Sequence, residues 1–250
     1  MSLASTSMNL FVLTTIIYFI VHYYINRKQH KIINYIYYGI IIASQLVLIF
    51  LQSKDLCGTP QISSVFIWGL IPWFLLFFGL ITLLDVFPGW KSPFSNTIGY
   101  LFTKILGITS LFNSLLKSKF TTNDKGLNKI FQNVYEDQSV LINEMTPGNF
   151  DNAIDKLKSI FNTTSSDYTS NIEKLRKMVL LKDEVSRFIW YVLTGGLVVS
   201  ISNMGITTTK CEKDIKQVKN EMNAYNAAIA KNKQLEIEQK KNQKQFIIKD

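Results

Sequence analysis

Histidine and cysteine side chains could bind a metal ion or act as nucleophiles, and this chain has few of either. Its 250 residues include two histidines, His22 and His30, and two cysteines, Cys57 and Cys211. Metal sites and catalytic nucleophiles need several such groups close together, yet the cysteines are far from the histidines in sequence. The chain also lacks a glycine-rich phosphate loop and a nucleophile elbow. The sequence therefore predicts no catalytic residue, no metal site, no cofactor and no enzyme activity.

The dominant feature is a set of four long apolar runs without Asp, Glu, Lys or Arg. They are Met8–Ile25, Ile32–Leu51, Ile62–Leu84 and Phe188–Ile206. About 20 helical residues are needed to cross the hydrocarbon core of a bilayer. The runs therefore predict an all-α integral membrane protein with about four transmembrane helices. Ionisable groups inside such a bundle would indicate transport, but the spans offer only His22, expected to reach water at a span end, and Gln45.

The composition divides the chain into five parts. We predict a three-span membrane region at 1–84, a Pro/Gly/Trp turn with an interfacial amphipathic helix at 85–118, and a small helical soluble region at 119–187. The fourth transmembrane helix follows at 188–206, and a basic helical tail at 207–250. Ser170 and Glu173 have capping-box spacing, and the helix that they begin can run unbroken through Arg187 into the fourth span.

Basic residues predict the orientation. Arg27, Lys28 and Lys31 crowd the six-residue loop between the first two spans, and the positive-inside rule places such a loop in the cytosol. Residues 52–61 and 207–250 then lie on the external side, although lysines at the start of the tail oppose this orientation. Aromatic residues at span ends predict a belt at one interface: Tyr23, Tyr24, Tyr35, Tyr37, Tyr38, Trp90, Trp190 and Tyr191.

The two cysteines, Cys57 and Cys211, each follow a span end by five or six residues, on the same predicted face. A disulfide between them would close a long loop and tie the fourth span to the first three. Two free thiols are the alternative, and the sequence leaves both open.

Residues 87–100 contain two prolines and a glycine that should end the third span at the membrane interface. We predict that five residues anchor the chain there: Pro88, Gly89, Trp90, Pro93 and Phe94. From Ile98 to Leu116 the apolar positions fall mainly on one side of a helical wheel. This pattern predicts a helix lying on the membrane surface, with a fifth span as the competing interpretation. Pro72 is expected to kink the third span.

The tail has apolar residues at alternating spacings of three and four. These are Cys211, Ile215, Val218, Met222, Tyr225 and Ile229. The spacing is that of a heptad repeat but covers under three heptads. We therefore predict a helix from Cys211 to about Ile229 whose seam, Ile215/Val218/Met222/Tyr225/Ile229, docks on a partner. The lysine-rich residues beyond it have a composition typical of disorder.

The string Pro-Gly-Trp…Pro-Phe-Ser-Asn-Thr…Gly-Tyr at 88–100, with Cys57-Gly58 and Ile71-Pro72-Trp73 before it, resembles a family of membrane proteins in nucleocytoplasmic large DNA viruses. The resemblance covers about residues 55–105. It implies a virion membrane or minor capsid protein located in the inner membrane beneath the capsid, a membrane derived from the host endoplasmic reticulum during assembly. It supplies no catalytic residue.

The sequence thus predicts a structural protein that anchors a lipid bilayer to a protein shell. Its partners would be the bilayer and other capsid or membrane proteins. The net charge of +9 is compatible with nucleic acid but does not indicate it. The alternative is a membrane-shaping or adaptor protein of a cellular organelle, and a channel comes third.

Overall fold

A computed structural model describes residues 3–25, 27–117, 125–211 and 215–246. These ranges form helices joined by short turns, without a β-strand among the described residues. The helices are α1 (Leu3–Tyr24), α2 (His30–Cys57), α3 (Ile62–Val86), α4 (Pro88–Ile105), α5 (Ile108–Leu115), α6 (Lys125–Glu136), α7 (Ser139–Glu144), α8 (Phe150–Leu157), α9 (Tyr168–Thr207) and α10 (Ile215–Phe246).

Helices α1, α2, α3 and α9 are long and apolar enough to cross a membrane, so the chain is an all-α integral membrane protein, as predicted. Helix α9 has 40 residues and is therefore about 60 Å long, twice the ~30 Å thickness of the hydrocarbon core. Its second half contains the predicted span Phe188–Ile206, and its first half extends out of the membrane. The predicted unbroken helix is confirmed, although it begins at Tyr168 rather than near Ser170.

Aromatic side chains fill the interior of the membrane bundle. Phe11, Trp73, Phe77 and Tyr191 come from three of the four spans and are at most 1% exposed. Their rings meet in tilted and edge-to-face pairs with centroids 5.1–6.4 Å apart, the arrangement that the ring quadrupole favours. The bundle is therefore a packed core held by shape and ring contacts.

Buried hydrogen bonds cross the bundle between these rings. Gln45 accepts a bond from the Ser7 hydroxyl and donates to the Ser7 carbonyl at 3.1 Å. The Thr15 and Tyr37 hydroxyls lie 2.9 Å apart. Such bonds join helices in lipid, where polar groups have no water to bind.

The predicted aromatic belt divides into two groups. Tyr24 and Tyr35 are exposed, as expected for rings at the membrane surface. The prediction was wrong for Tyr37 and Tyr191, which are 3% and 1% exposed and belong to the aromatic core. A position near a span end does not show which side of the helix faces the other spans.

Pro72 has no backbone N–H to donate within α3. The helix continues past it through a widened π-helical turn, Trp73–Phe78. Such a turn inserts an extra residue into the helix. Trp73 and Phe77, both within it, are fully buried in the core of the bundle, which Ile81 and Leu84 of the same helix also join.

The bundle packs most closely at glycines of α9. A Cβ added at Gly195 would lie 2.0 Å from Cζ of the buried Phe11 ring. One added at Gly205 would lie 2.1 Å from the Trp68 ring. At the neighbouring Gly196 the nearest atom would be Cε of Met8 at 3.9 Å, an ordinary contact. The absence of a side chain thus matters at Gly195 and Gly205.

The segment predicted as one interfacial helix, Ile98–Leu116, is two helices that meet at 80°. Gly107 makes the bend with φ +89°, a conformation that favours glycine. Before the bend, Leu101, Phe102 and Ile105 are exposed apolar side chains, as a membrane-surface helix requires. After it, the apolar side chains of α5 are buried in a second core.

This second core belongs to a small helical domain outside the membrane. It is formed by α5, α6, α7, α8 and the first half of α9, with Phe112, Ile142, Phe150, Phe161 and Leu175 fully buried. A single antiparallel bridge between Leu116 and Phe161 closes it. Because α5 is part of this core, the bent pair α4–α5 does not form a fifth span.

We predict that Gly195→Ala destabilises the bundle by about 1–3 kcal/mol, the usual cost of overpacking a filled core. The buried Phe11 ring would have to move, and Trp73 and Phe77 surround it. Thermal unfolding of the purified protein in detergent measures the effect, with Gly196→Ala as the matched control. Equal melting temperatures for the two variants would show that the contact with Phe11 is not tight.

We also predict that both termini lie on one face of the membrane, because the chain crosses it four times. Protease protection in sealed vesicles should find epitopes at the N-terminus and after α10 equally accessible. A tag inserted in the turn Thr146–Asn149 should show the opposite accessibility. Termini on opposite faces would contradict the assignment of α4–α5 to the helical domain.

Candidate functional site

The features that could serve a function lie where the chain leaves the membrane on each side. On one side, the Cys57 and Cys211 sulfurs form a disulfide bond with their Cα atoms 5.3 Å apart, within the usual range. The bond links residues 154 positions apart and ties the base of the tail to the end of α2. Of the two alternatives that the sequence leaves open, the structure has the disulfide. Disulfides persist in oxidising compartments, which agrees with the external placement of this face.

On the other side, the Pro/Gly/Trp turn is fastened to α9 at the edge of the membrane. The Lys91 Nζ atom lies 2.8 and 3.0 Å from the two Asp183 carboxylate oxygens. The Trp190 indole donates to the Trp90 carbonyl at 3.2 Å, and the Phe94 and Trp190 rings meet edge to face. These contacts fix the turn against the helix just before the fourth span.

The five predicted anchor residues lie together in this turn. Pro88, Gly89, Trp90 and Pro93 are exposed, and Phe94 is half-buried against Trp190. Their exposure leaves them free to contact lipid, and their role as interfacial anchors stays a prediction.

Lys182 joins three elements at one buried point. Its ammonium group, on α9, donates to the Ile142 carbonyl at the end of α7 at 2.6 Å and to the Asn96 Oδ1 atom on α4 at 3.2 Å. The residue is 2% exposed. Gly99 permits this approach, since a Cβ there would lie 2.6 Å from the Lys182 carbonyl oxygen. A charged group buried in this way needs its bonding partners, so Lys182 determines how α4 and α7 sit on α9.

A second polar cluster lies where α1 ends beside α9. His22 Nδ1 lies 3.4 Å from Glu184 Oε2, and Arg187 Nη1 lies 3.5 Å from Glu184 Oε1. The His22 and His30 rings face each other with centroids 3.8 Å apart. The expectation that His22 reaches water was wrong, because its side chain is 2% exposed. Glu184, outside the apolar run of α9, is the acidic residue beside the buried ring.

An apolar groove of about 530 Å³ runs beside this cluster. Its walls come from α1, α4 and α9, and include Ile20, Tyr24, Phe102, Leu106 and Phe188. The groove lies at the level where the first and fourth spans leave the membrane. Its apolar lining is suited to lipid chains.

Within the helical domain, an ion pair at the surface links α8 to α9 beside their shared apolar core. Arg176 donates to the Asp151 carboxylate and lies over the Phe150 ring, 4.4 Å from the centroid. The Arg176 guanidinium beside Asp151 holds the pKa of that carboxyl below its ordinary value.

Beyond the disulfide, α10 is a 32-residue helix whose described side chains are not covered by the other described residues. All described side chains from Val218 to Lys241 are exposed. Four predicted seam residues are among them, with exposed fractions of 47% at Val218, 56% at Met222, 67% at Tyr225 and 37% at Ile229. Ile215 begins the helix, and its side chain lies outside the described residues. The helix continues to Phe246 and so includes the lysine-rich residues 240–244, whose composition is typical of disorder.

The chemistry that this arrangement supports is binding. Within the described ranges, no group of three or more His, Cys, Asp or Glu side chains is placed to hold a metal ion. The absence of enzyme activity stays a prediction.

Sequence reasoning missed Lys182, Asp183, Glu184 and Arg187 as partners of the membrane region. The sequence does show that these residues form the last charged run before the fourth apolar stretch, where a helix enters the membrane. What the run could not show is which side of α9 each residue occupies and which helix it meets there.

We expect the disulfide to stabilise the fold by about 2–4 kcal/mol, mainly through the long loop that it closes. Cys211→Ser should therefore lower the melting temperature in detergent, and Ser200→Ala on the same span should not. After cleavage in the segment Thr163–Asp167, the wild-type fragments should stay joined on a non-reducing gel and separate on a reducing gel. Separation without reductant would contradict the bond.

Comparison with models of known protein families, with curated protein sequences and with solved structures gives no match for this chain.

Proposed function

We propose that this protein is a structural membrane protein that links a lipid bilayer to a protein shell. The observation that carries the proposal is α10, a long helix with an exposed apolar seam whose base is tied to the membrane bundle by a disulfide. A protein that acted only within the bilayer would have no use for such a helix.

The energetics of α10 require a partner. Isolated helices are marginal in water, and Asn220, Asn223 and Asn226 have low helix propensity. Burial of the four described seam side chains would contribute ~1.5–3 kcal/mol each. That gain is available only if another protein surface covers the seam, since the part of the chain that the structure describes leaves it exposed.

The membrane region has the properties of an anchor. Its interior is filled by aromatic rings and crossed by hydrogen bonds between helices. A channel needs a water-filled path, and the filled interior gives no support to one within a single copy of the described bundle. The helical domain, joined to the bundle by the unbroken α9, offers a second surface on the opposite face.

The viral setting is the more specific part of the proposal: a minor capsid or inner-membrane component of a large DNA virus. Its support is the resemblance of residues 55–105 to the family of viral membrane proteins. The alternative is an adaptor or membrane-shaping protein of a cellular organelle, which would use the same anchor and the same exposed helix. Immunogold electron microscopy of source particles separates the two, because the viral protein would lie beneath the capsid.

We predict that replacing Ile215, Met222 and Ile229 together with Ser exposes α10 to protease in the assembled particle or organelle. Membrane insertion, measured by flotation of vesicles, should be unchanged because the spans are untouched. The matched control replaces Gln217, Ala224 and Lys231, a row with the same seven-residue spacing on another side of α10, with Ser. If the seam variant is as protected as the wild type, the seam is not the docking surface.

A further inference from the structure

We infer that the partner of the α10 seam is a second copy of the same chain, paired through a short parallel coiled coil. This inference rests on the proposed role of α10 as a docking helix and names what it docks on. Three features of the described residues support it: the register of the seam, the charges beside it, and the way in which the disulfide and the membrane fix the helix.

The register is that of a coiled coil over the first half of α10. With Ile215 at position a, Met222 and Ile229 also occupy a, and Val218 and Tyr225 occupy d. These positions form the strip that two helices bury between them. Asn232 at the next d position and Glu236 at the next a position end the strip, so the pairing covers the part of α10 nearest the membrane.

The charges beside the seam distinguish parallel from antiparallel pairing. Position e is occupied by Lys219, Asn226, Lys233 and Lys240, and position g by Glu221, Ala228 and Leu235. An antiparallel pair would place the two e rows, three of whose four residues are lysines, against each other. A parallel pair places e against g. No lysine then faces a lysine, and the apolar stems of Lys233 and Lys240 can cover Ala228 and Leu235.

The membrane imposes the same orientation. Two copies in one bilayer share one topology, so both α10 helices begin on the same face. The bond between Cys57 and Cys211 holds the base of each helix at the end of α2, at one fixed level. The two seams therefore meet in register. Confinement in the bilayer also raises the effective concentration of each helix for the other, which compensates for the shortness of the strip.

A cysteine placed at Val218 tests this inference in the full-length protein. Both natural cysteines are bonded to each other, so the new thiol is the free one. In a parallel pair, d faces d, and Val218→Cys should form a covalent dimer on mild oxidation in phospholipid vesicles. Asn220→Cys, two residues away at the outer position f and also exposed, is the matched control and should stay monomeric.

The result expected is a dimer band for most of the Val218→Cys protein, which also forms when the vesicles are diluted with excess lipid before oxidation. Cross-linking at both positions alike would indicate random collision and would overturn the inference. The absence of a dimer would also overturn the inference.

The outcome is separable from that of the proposed function. If Val218→Cys stays monomeric but the seam variant loses protection in the assembled particle, α10 docks on a different protein and only the pairing fails. If Val218→Cys dimerises and the seam variant keeps its protection and its place in the particle, the pairing stands and the link to a shell fails.

Discussion

Helix α9 belongs to two environments, and the arrangement of the molecule follows from its continuity. Its first half has one side buried in the helical domain, with Leu175 and Val179 in that core. Its second half contributes Tyr191, Val198 and Val199 to the membrane bundle. Since a helix about 60 Å long cannot lie wholly inside a bilayer core of ~30 Å, the two cores must stack along it. Each core forms along the half of α9 whose buried side chains belong to it.

The change of environment occurs within a few residues of α9, and there the polar groups are concentrated. Lys182 donates to the Ile142 carbonyl in the helical domain, and Asp183 accepts from Lys91 of the turn. Glu184 lies beside His22 at the end of α1 and beside Arg187 on α9 itself. Charged groups are tolerated near a membrane when they are paired. This border therefore does two things at once: it places charge where lipid headgroups begin, and it sets the angle between domain and bundle.

The spans, the unbroken α9 and the α10 helix could be predicted because each depends on a local pattern of apolar length or heptad spacing. Residues whose position depends on rotation about a helix axis could not. Tyr37 was expected at the membrane surface and is in the core, whereas Tyr35, two residues earlier, is exposed. The bend at Gly107 was missed for a related reason. The apolar pattern continues across it, but the helix axis turns by 80° and the second half enters a different core.

The disulfide also has a mechanical consequence. A force that pulls on α10 reaches the bundle at Cys211, which is joined to α9 through the backbone and to α2 through the sulfur of Cys57. The load is thus divided between two spans that are distant in sequence and packed together in the bundle. Neither helix could be drawn out of the bilayer without the other, and α1 and α3 pack against both. The tail can therefore bear tension as a tether while the membrane region keeps its packing.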